Sequence, residues 1–162
     1  MAFPAAFKDW RYRAPLTYVK DYVGSGGVTN FPYLLPWTTA PAGLWANALA
    51  TGADLRVTAA DGETETNFEL VSFTPGSAVM ECWALGASIA SASNTALGYV
   101  YWGNAAASAK PAAWGNGVWT TAGMSALWHL NEAGNGTAGE YVDASGAGYS
   151  GRGGGGTAGK VP

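Results

Sequence analysis

The stretch GADLRVTAADGETETNFELVSFTPGSAVMECWAL, residues 52–85, decides the fold. Two turn signals divide it into three short runs. Asp61-Gly62 is a dipeptide that tight hairpin turns favour, because their central positions need positive φ. Beyond it, Thr64, Thr66, Phe68 and Leu70 alternate with Glu65, Asn67 and Glu69. A period of two puts the first set on one face of a strand and the acidic set on the other, toward water. Pro75-Gly76 supplies the second turn, and a strand through Val79, Glu81 and Trp83 follows. The stretch reads as a hairpin running into a further strand.

The same period extends in both directions. In RYRAPLTYV (11–19), Tyr12, Ala14, Leu16 and Tyr18 share a face opposite Arg11, Arg13 and Thr17. NFPYLLPW (30–37) groups Phe31, Tyr33, Leu35 and Trp37, while Pro32 and Pro36 fall on the other face and argue for an edge strand. TALGYVYWGN (95–104) closes the series as an aromatic-rich strand. The best helix candidate is 40–52, with Pro41 in the first turn, Leu44, Trp45 and Ala48 at helical spacing and Gly52 as terminator; it is one or two turns long. Six short strands without a sustained helix predict an all-β fold, an antiparallel β-sandwich of jelly-roll-like kind. Residues 1–105 form that domain. Residues 106–124 lose the alternation and read as a linker. Residues 125–162 open with the strand-like SALWHLNE segment and end in a glycine-rich, partly extended tail with too few apolar groups to order itself by burial.

Composition limits the function classes. The 162 residues suit one domain plus an appendage. Only 12% are charged, about half the usual ~25%, whereas 48% are hydrophobic and there are 24 glycines and 8 tryptophans. A surface built from Ser, Thr, Asn, Gly and Ala repels itself weakly and suits an assembly or rigid display outside cells. A net charge of −3, with no basic run longer than Arg11–Arg13, makes nucleic acid an unsuitable partner. The uncharged stretches 22–53 and 82–109 are studded with Pro, Gly, Asn and Ser, so membrane insertion is not expected. The opening residues lack the basic and apolar regions of a secretory signal, so an outside-type composition is paired here with no visible export signal. Virion proteins, or a fragment of a longer secreted protein, fit that pairing.

No active site is legible. Cys82 is alone, which rules out an internal disulfide or a thiolate cluster; it reads as a small buried hydrophobe, with an intermolecular disulfide as the alternative. Glu63/Glu65 and Glu65/Glu69 could each form an acid–base couple across one strand face, but a solvated face beside a turn explains them better. His129, the only histidine, has no nucleophile motif nearby and reads as the margin of a half-buried strand. With Glu132 it supplies two metal ligands, too few for a site. The run GRGGGG (151–156) lacks the Lys-Ser/Thr ending of a phosphate loop. The expectation is therefore no enzyme, no metal and no cofactor. Tryptophan is the positive signal: sugar rings stack on flat aromatic side chains, and Trp37, Trp45, Trp114 and Trp119, in or beside loops, are the glycan- or partner-binding candidates. Asp54 and Arg56 lie two apart and can pair with each other or with Glu69 across the hairpin, fixing register. Gly103-Asn104 suits a strand end that needs positive φ.

WRYRAPLTY (10–18), GADLRVT (52–58), FELVSF (68–73), ECWAL (81–85) and YVYWGN (99–104) occur in an order that resembles the domain-of-unknown-function family 2341, marked by W-x-Y-R, G-A-D-x-R and Y-x-G-N blocks. The resemblance covers about residues 7–105, with Trp102 where the family often has Tyr and Val57 where it often has Phe. ALWHLNEAGNG (126–136) is similar to the first strand of a concanavalin-A-like (laminin-G-like) lectin domain. The resemblance implies a setting in phage structural or bacterial surface proteins, assigns no catalysis to His129, and makes 125–162 an incomplete lectin-like start. The resulting expectation is a non-enzymatic virion structural or adhesion protein, part of a tail, fibre or capsid surface. Its partners would be other virion proteins or copies of itself, with cell-surface polysaccharide as a further ligand. The alternative is a carbohydrate-binding module of a longer bacterial protein, located outside the cell or on its surface.

Overall fold

The computed structural model describes residues 3–35 and 40–153. Six strands, β1 (Tyr12–Tyr18), β2 (Val28–Leu34), β3 (Arg56–Thr58), β4 (Phe68–Thr74), β5 (Val79–Ile89) and β6 (Thr95–Trp102), form two antiparallel three-stranded sheets. Their orders are β1-β6-β3 and β2-β5-β4. The first four strands alternate between the sheets and the last lies beside the first, which is the winding of a jelly roll. One core joins the inner faces: Leu16, Val57 and Val100 from one sheet meet Tyr33, Met80 and Cys82 from the other. Full burial of such side chains contributes roughly 1.5–3 kcal/mol apiece. The single-turn helix α1 (Leu44–Asn47) plugs one end of this core with Leu44.

The Asp61-Gly62 turn forms, but it does not join two strands of one sheet. Asp61 Oδ1 accepts from the N–H groups of Glu63 and Thr64, both at 2.9 Å, its Oδ2 accepts the Thr64 hydroxyl, and Gly62 sits at φ +75°. The Tyr101 hydroxyl, from beneath, donates to Gly62 O at 2.8 Å. After a bridge at Thr58–Glu65 the chain crosses over: β3 pairs with β6, and β4 pairs with β5 through the Pro75 turn. The expected hairpin is thus a corner between sheets. β3 spans three residues, and at its end β6 comes so close at Gly98 that any Cβ there would lie 1.7 Å from Thr58 O.

Each edge strand differs in what it offers. β1 carries Pro15 and β2 carries Pro32, neither of which has an N–H. Leu35 N donates to Cys82 O, so by alternation Pro32 faces outward, where a neighbouring strand would need a donor. β4 has no proline inside it; its register shifts at Val71.

The stretch expected as a linker, 106–124, contains the helix α2 (Ala112–Thr121), which packs on the outer face of β4. Its glycines looked like linker residues, yet they mark close approach. A Cβ on Gly115 would lie 3.0 Å from the Glu69 side chain, and one on Gly117 would lie 2.4 Å from the Asn67 amide. Val118 and Trp119 of α2 are buried against Trp83 and Leu127.

The expected strand within 125–132 does not form either. The segment lies over α2 and is pinned by the carboxylate of Asp143, which accepts from Leu127 N (3.0 Å), from the Ser145 N–H and hydroxyl (2.9 and 2.6 Å) and from Tyr149 N (3.0 Å). The described part of the glycine-rich segment is held by side-chain acceptors, Asp143 as above and Glu140 from the N–H groups of Asn135, Gly136 and Gly153, while residues 154–162 of the expected tail lie outside the described residues. The Ser145 hydroxyl and the N–H groups of Leu127, Ser145 and Tyr149 hold the Asp143 carboxyl well below the usual carboxylate range.

Candidate functional site

A cluster of titratable and aromatic side chains sits where α2 and the C-terminal segment cover β4 and β5. Glu69 was expected to face water. Its cross-strand neighbour is Trp83, and α2 is laid over the pair. Glu69 Oε2 accepts from Trp119 Nε1 at 2.6 Å and lies 2.9 Å from His129 Nε2. His129 Nδ1 faces Glu81 Oε1 at 3.9 Å, and Glu81 in turn accepts from Trp83 Nε1 at 3.0 Å. The Trp119 ring meets Trp83 at 5.5 Å and His129 edge-on at 5.9 Å. His129 therefore does not lie on the margin of a strand; it is wedged between two carboxylates.

His129 also borders a cleft of about 570 Å³ with Glu69, Lys110, Asn116, Glu132 and Asp143. This is the kind of place where an acid–base pair works. The imidazole is engaged on both sides. One ring nitrogen is taken by Glu69 and the other faces Glu81, while Oε2 of Glu69 is shared by two donors. The cluster clasps the C-terminal segment to the sheet. Among the described residues, no three His, Cys, Asp or Glu side chains are placed to hold a metal ion.

The expected pairing of Asp54 with Arg56 is corrected by burial. Both are in the interior, 0% and 7% exposed, and no ion pair forms between them or with Glu69. Each serves backbone instead. Asp54 accepts from Leu49 N and Gly103 N at 2.9 and 2.6 Å, tying the chain before β3 to the end of β6. Arg56 donates to the carbonyls of Ala53, Leu55 and Ser108 and lies under the Trp10 ring, 5.4 Å from its centroid. Short irregular segments leave carbonyls that must be satisfied, and a guanidinium with five donors can serve three of them. Burial lowers the Arg56 pKa, opposed by the charges of Glu65 and Asp54. Gly103 adopts φ +86°, and Asn104 Oδ1 accepts from Ala106 N to close the turn after β6.

The tryptophan candidates separate. Trp119 is 3% exposed and its N–H is spent on Glu69, so it offers no ring to a sugar. Trp114 is partly exposed, donates to Thr66 O at 3.0 Å and carries Lys110 Nζ 4.3 Å above its ring centroid. Trp45, also partly exposed, stacks on Phe73 at 5.5 Å. Trp37 lies outside the described residues.

A second surface was not singled out by sequence. Between the edge strands β1 and β2 runs a groove of about 610 Å³, lined by residues 15–19 and 31–34 with Trp83 and Leu97, none of them charged. Val19, Phe31 and Leu34 are each 40–42% exposed there.

No family model, curated protein or solved structure matches this chain. The functional reading therefore rests on its own geometry.

Proposed function

We propose that the chain is a non-enzymatic structural or adhesion module of a virion that works by holding neighbours, including copies of itself. The carrying observation is the groove between β1 and β2, where Val19, Phe31 and Leu34 stand exposed around an uncharged lining. Clustered exposed apolar side chains of this kind mark contact surfaces. The prolines of both strands favour side-chain packing over strand pairing as the mode of contact. The scarcity of charge and the resemblance to domains of phage structural proteins support the virion setting.

Carbohydrate binding is the second reading, supported by the partly exposed rings of Trp45 and Trp114. One set of variants separates the two. Sedimentation should show concentration-dependent oligomers, and Phe31→Ser with Leu34→Ser should return the protein to monomer. Trp45→Ala and Trp114→Ala should leave that assembly intact and, on the second reading, abolish signals on a glycan array. A protein that stays monomeric at high concentration and makes no contacts in particles sinks the first reading; a blank array for the native protein sinks the second.

A further inference from the structure

The cleft beside β4 carries a separate inference, independent of the β1/β2 groove. β4 is the outer strand of its sheet, and the cleft runs along its residues 68–71. Leu85 N donates to Asn67 O, which fixes the alternation: Asn67 and Glu69 turn their backbone groups toward β5, whereas Phe68 and Leu70 turn theirs away from it. Among the described residues, no group outside the sheet bonds to the N–H or C=O of Phe68 or Leu70. The other edges are closed to strand addition by Pro15, by Pro32 or by the three-residue length of β3. Among the described edge strands, β4 presents the proline-free run longer than three residues, from Phe68 to its register shift at Val71.

The charges around this edge are almost all answered from within. Glu69 is held by Trp119 and His129, Asp143 by its donors from Leu127, Ser145 and Tyr149, and Lys110 is ion-paired with Glu65. Glu132 is the exception. Its Oε1 accepts from Val142 N at 2.9 Å, but its Oε2 is shielded from solvent and has no hydrogen-bond partner. A carboxylate oxygen in that state matches an incoming ammonium or guanidinium.

We propose that the cleft takes up an extended basic peptide, which adds as a strand to β4 between Phe68 and Leu70 and sets a lysine or arginine against Glu132. Main-chain bonds supply the affinity and the cation selects the sequence.

The test uses the full chain and a labelled probe, acetyl-Val-Lys-Val-Lys-Val-amide, followed by fluorescence anisotropy. The probe should bind saturably. Glu132→Gln, which keeps an acceptor for Val142 N, should weaken binding by about tenfold or more, as loss of a charge-assisted bond does. N-methylation of alternate peptide amides, which leaves the protein untouched, should weaken it by a similar factor. The Val-Glu-Val-Glu-Val counterpart should not bind. Absence of saturable binding overturns the proposal. So does binding that is indifferent to either Glu132→Gln or N-methylation, because the first result removes the cation contact and the second the strand addition.

Discussion

Sheet β1-β6-β3 is capped on its outer face by the N-terminal rings, and sheet β2-β5-β4 by α2 and the C-terminal segment. The first cap is aromatic: Phe7 stacks on Tyr101 at 4.3 Å and meets Trp10 edge-on at 5.3 Å, with Arg13 and Arg56 against neighbouring rings. The second is closed by carboxylates: Glu69 holds Trp119 and His129, and Asp143 holds residues 127, 145 and 149. Both shield a sheet face, but one relies on contact area and the other on a few carboxylate acceptors. They should therefore respond differently to mutation and to acid.

The largest effect is expected in the aromatic cap. Phe7→Ala should cost about 3–5 kcal/mol in chemical denaturation, the usual range for a fully buried phenylalanine, and the loss should be the same from about pH 4 to pH 8. A marked pH dependence would break the contrast. Glu69→Ala comes next, at about 1–3 kcal/mol, because it leaves the Trp119 N–H and His129 without their acceptor. Hydrogen exchange should place that loss in residues 112–151 and spare β1 and β6. An even loss across both sheets would mean that the second cap is not a separable layer.

The smallest and most local effect is the response to acid. Asp143 has a depressed carboxyl in the folded chain, so its stabilisation is present above the unfolded value of about 3.9 and declines as pH falls toward the folded one. Below about pH 4, the amides of Leu127, Ser145 and Tyr149 should lose protection before those around Phe7 do. Asp143→Asn should remove this step by weakening the same amides at neutral pH. Simultaneous loss at both caps in the native chain would remove the distinction.

The two caps also differ in how far the sequence revealed them. Alternation exposed the sandwich because each strand needs only its own residues to declare two faces, as in Phe68 against Glu69. It could not show that Glu69 would be covered, since Trp119 and His129 lie 50 and 60 residues away. Gly115 and Gly117 were misleading for a physical reason: glycine marks a loop and a close helix–sheet approach equally well in composition, and only the neighbour at 2.4–3.0 Å distinguishes them. The spacing of Asp54 and Arg56 suggested a mutual pair, whereas buried backbone groups were the stronger claimants. The cleft at β4 was not legible, because an edge becomes visible only when every other edge has been assigned.

Cys82 gives the molecule a built-in clock. Its thiol is 1% exposed between the sheets, and burial pushes its pKa far above the ordinary thiol value. A maleimide in solution can react with it only when the layers part, so the labelling rate reports how often the sandwich breathes. Neither cap contains a thiol to confuse that record.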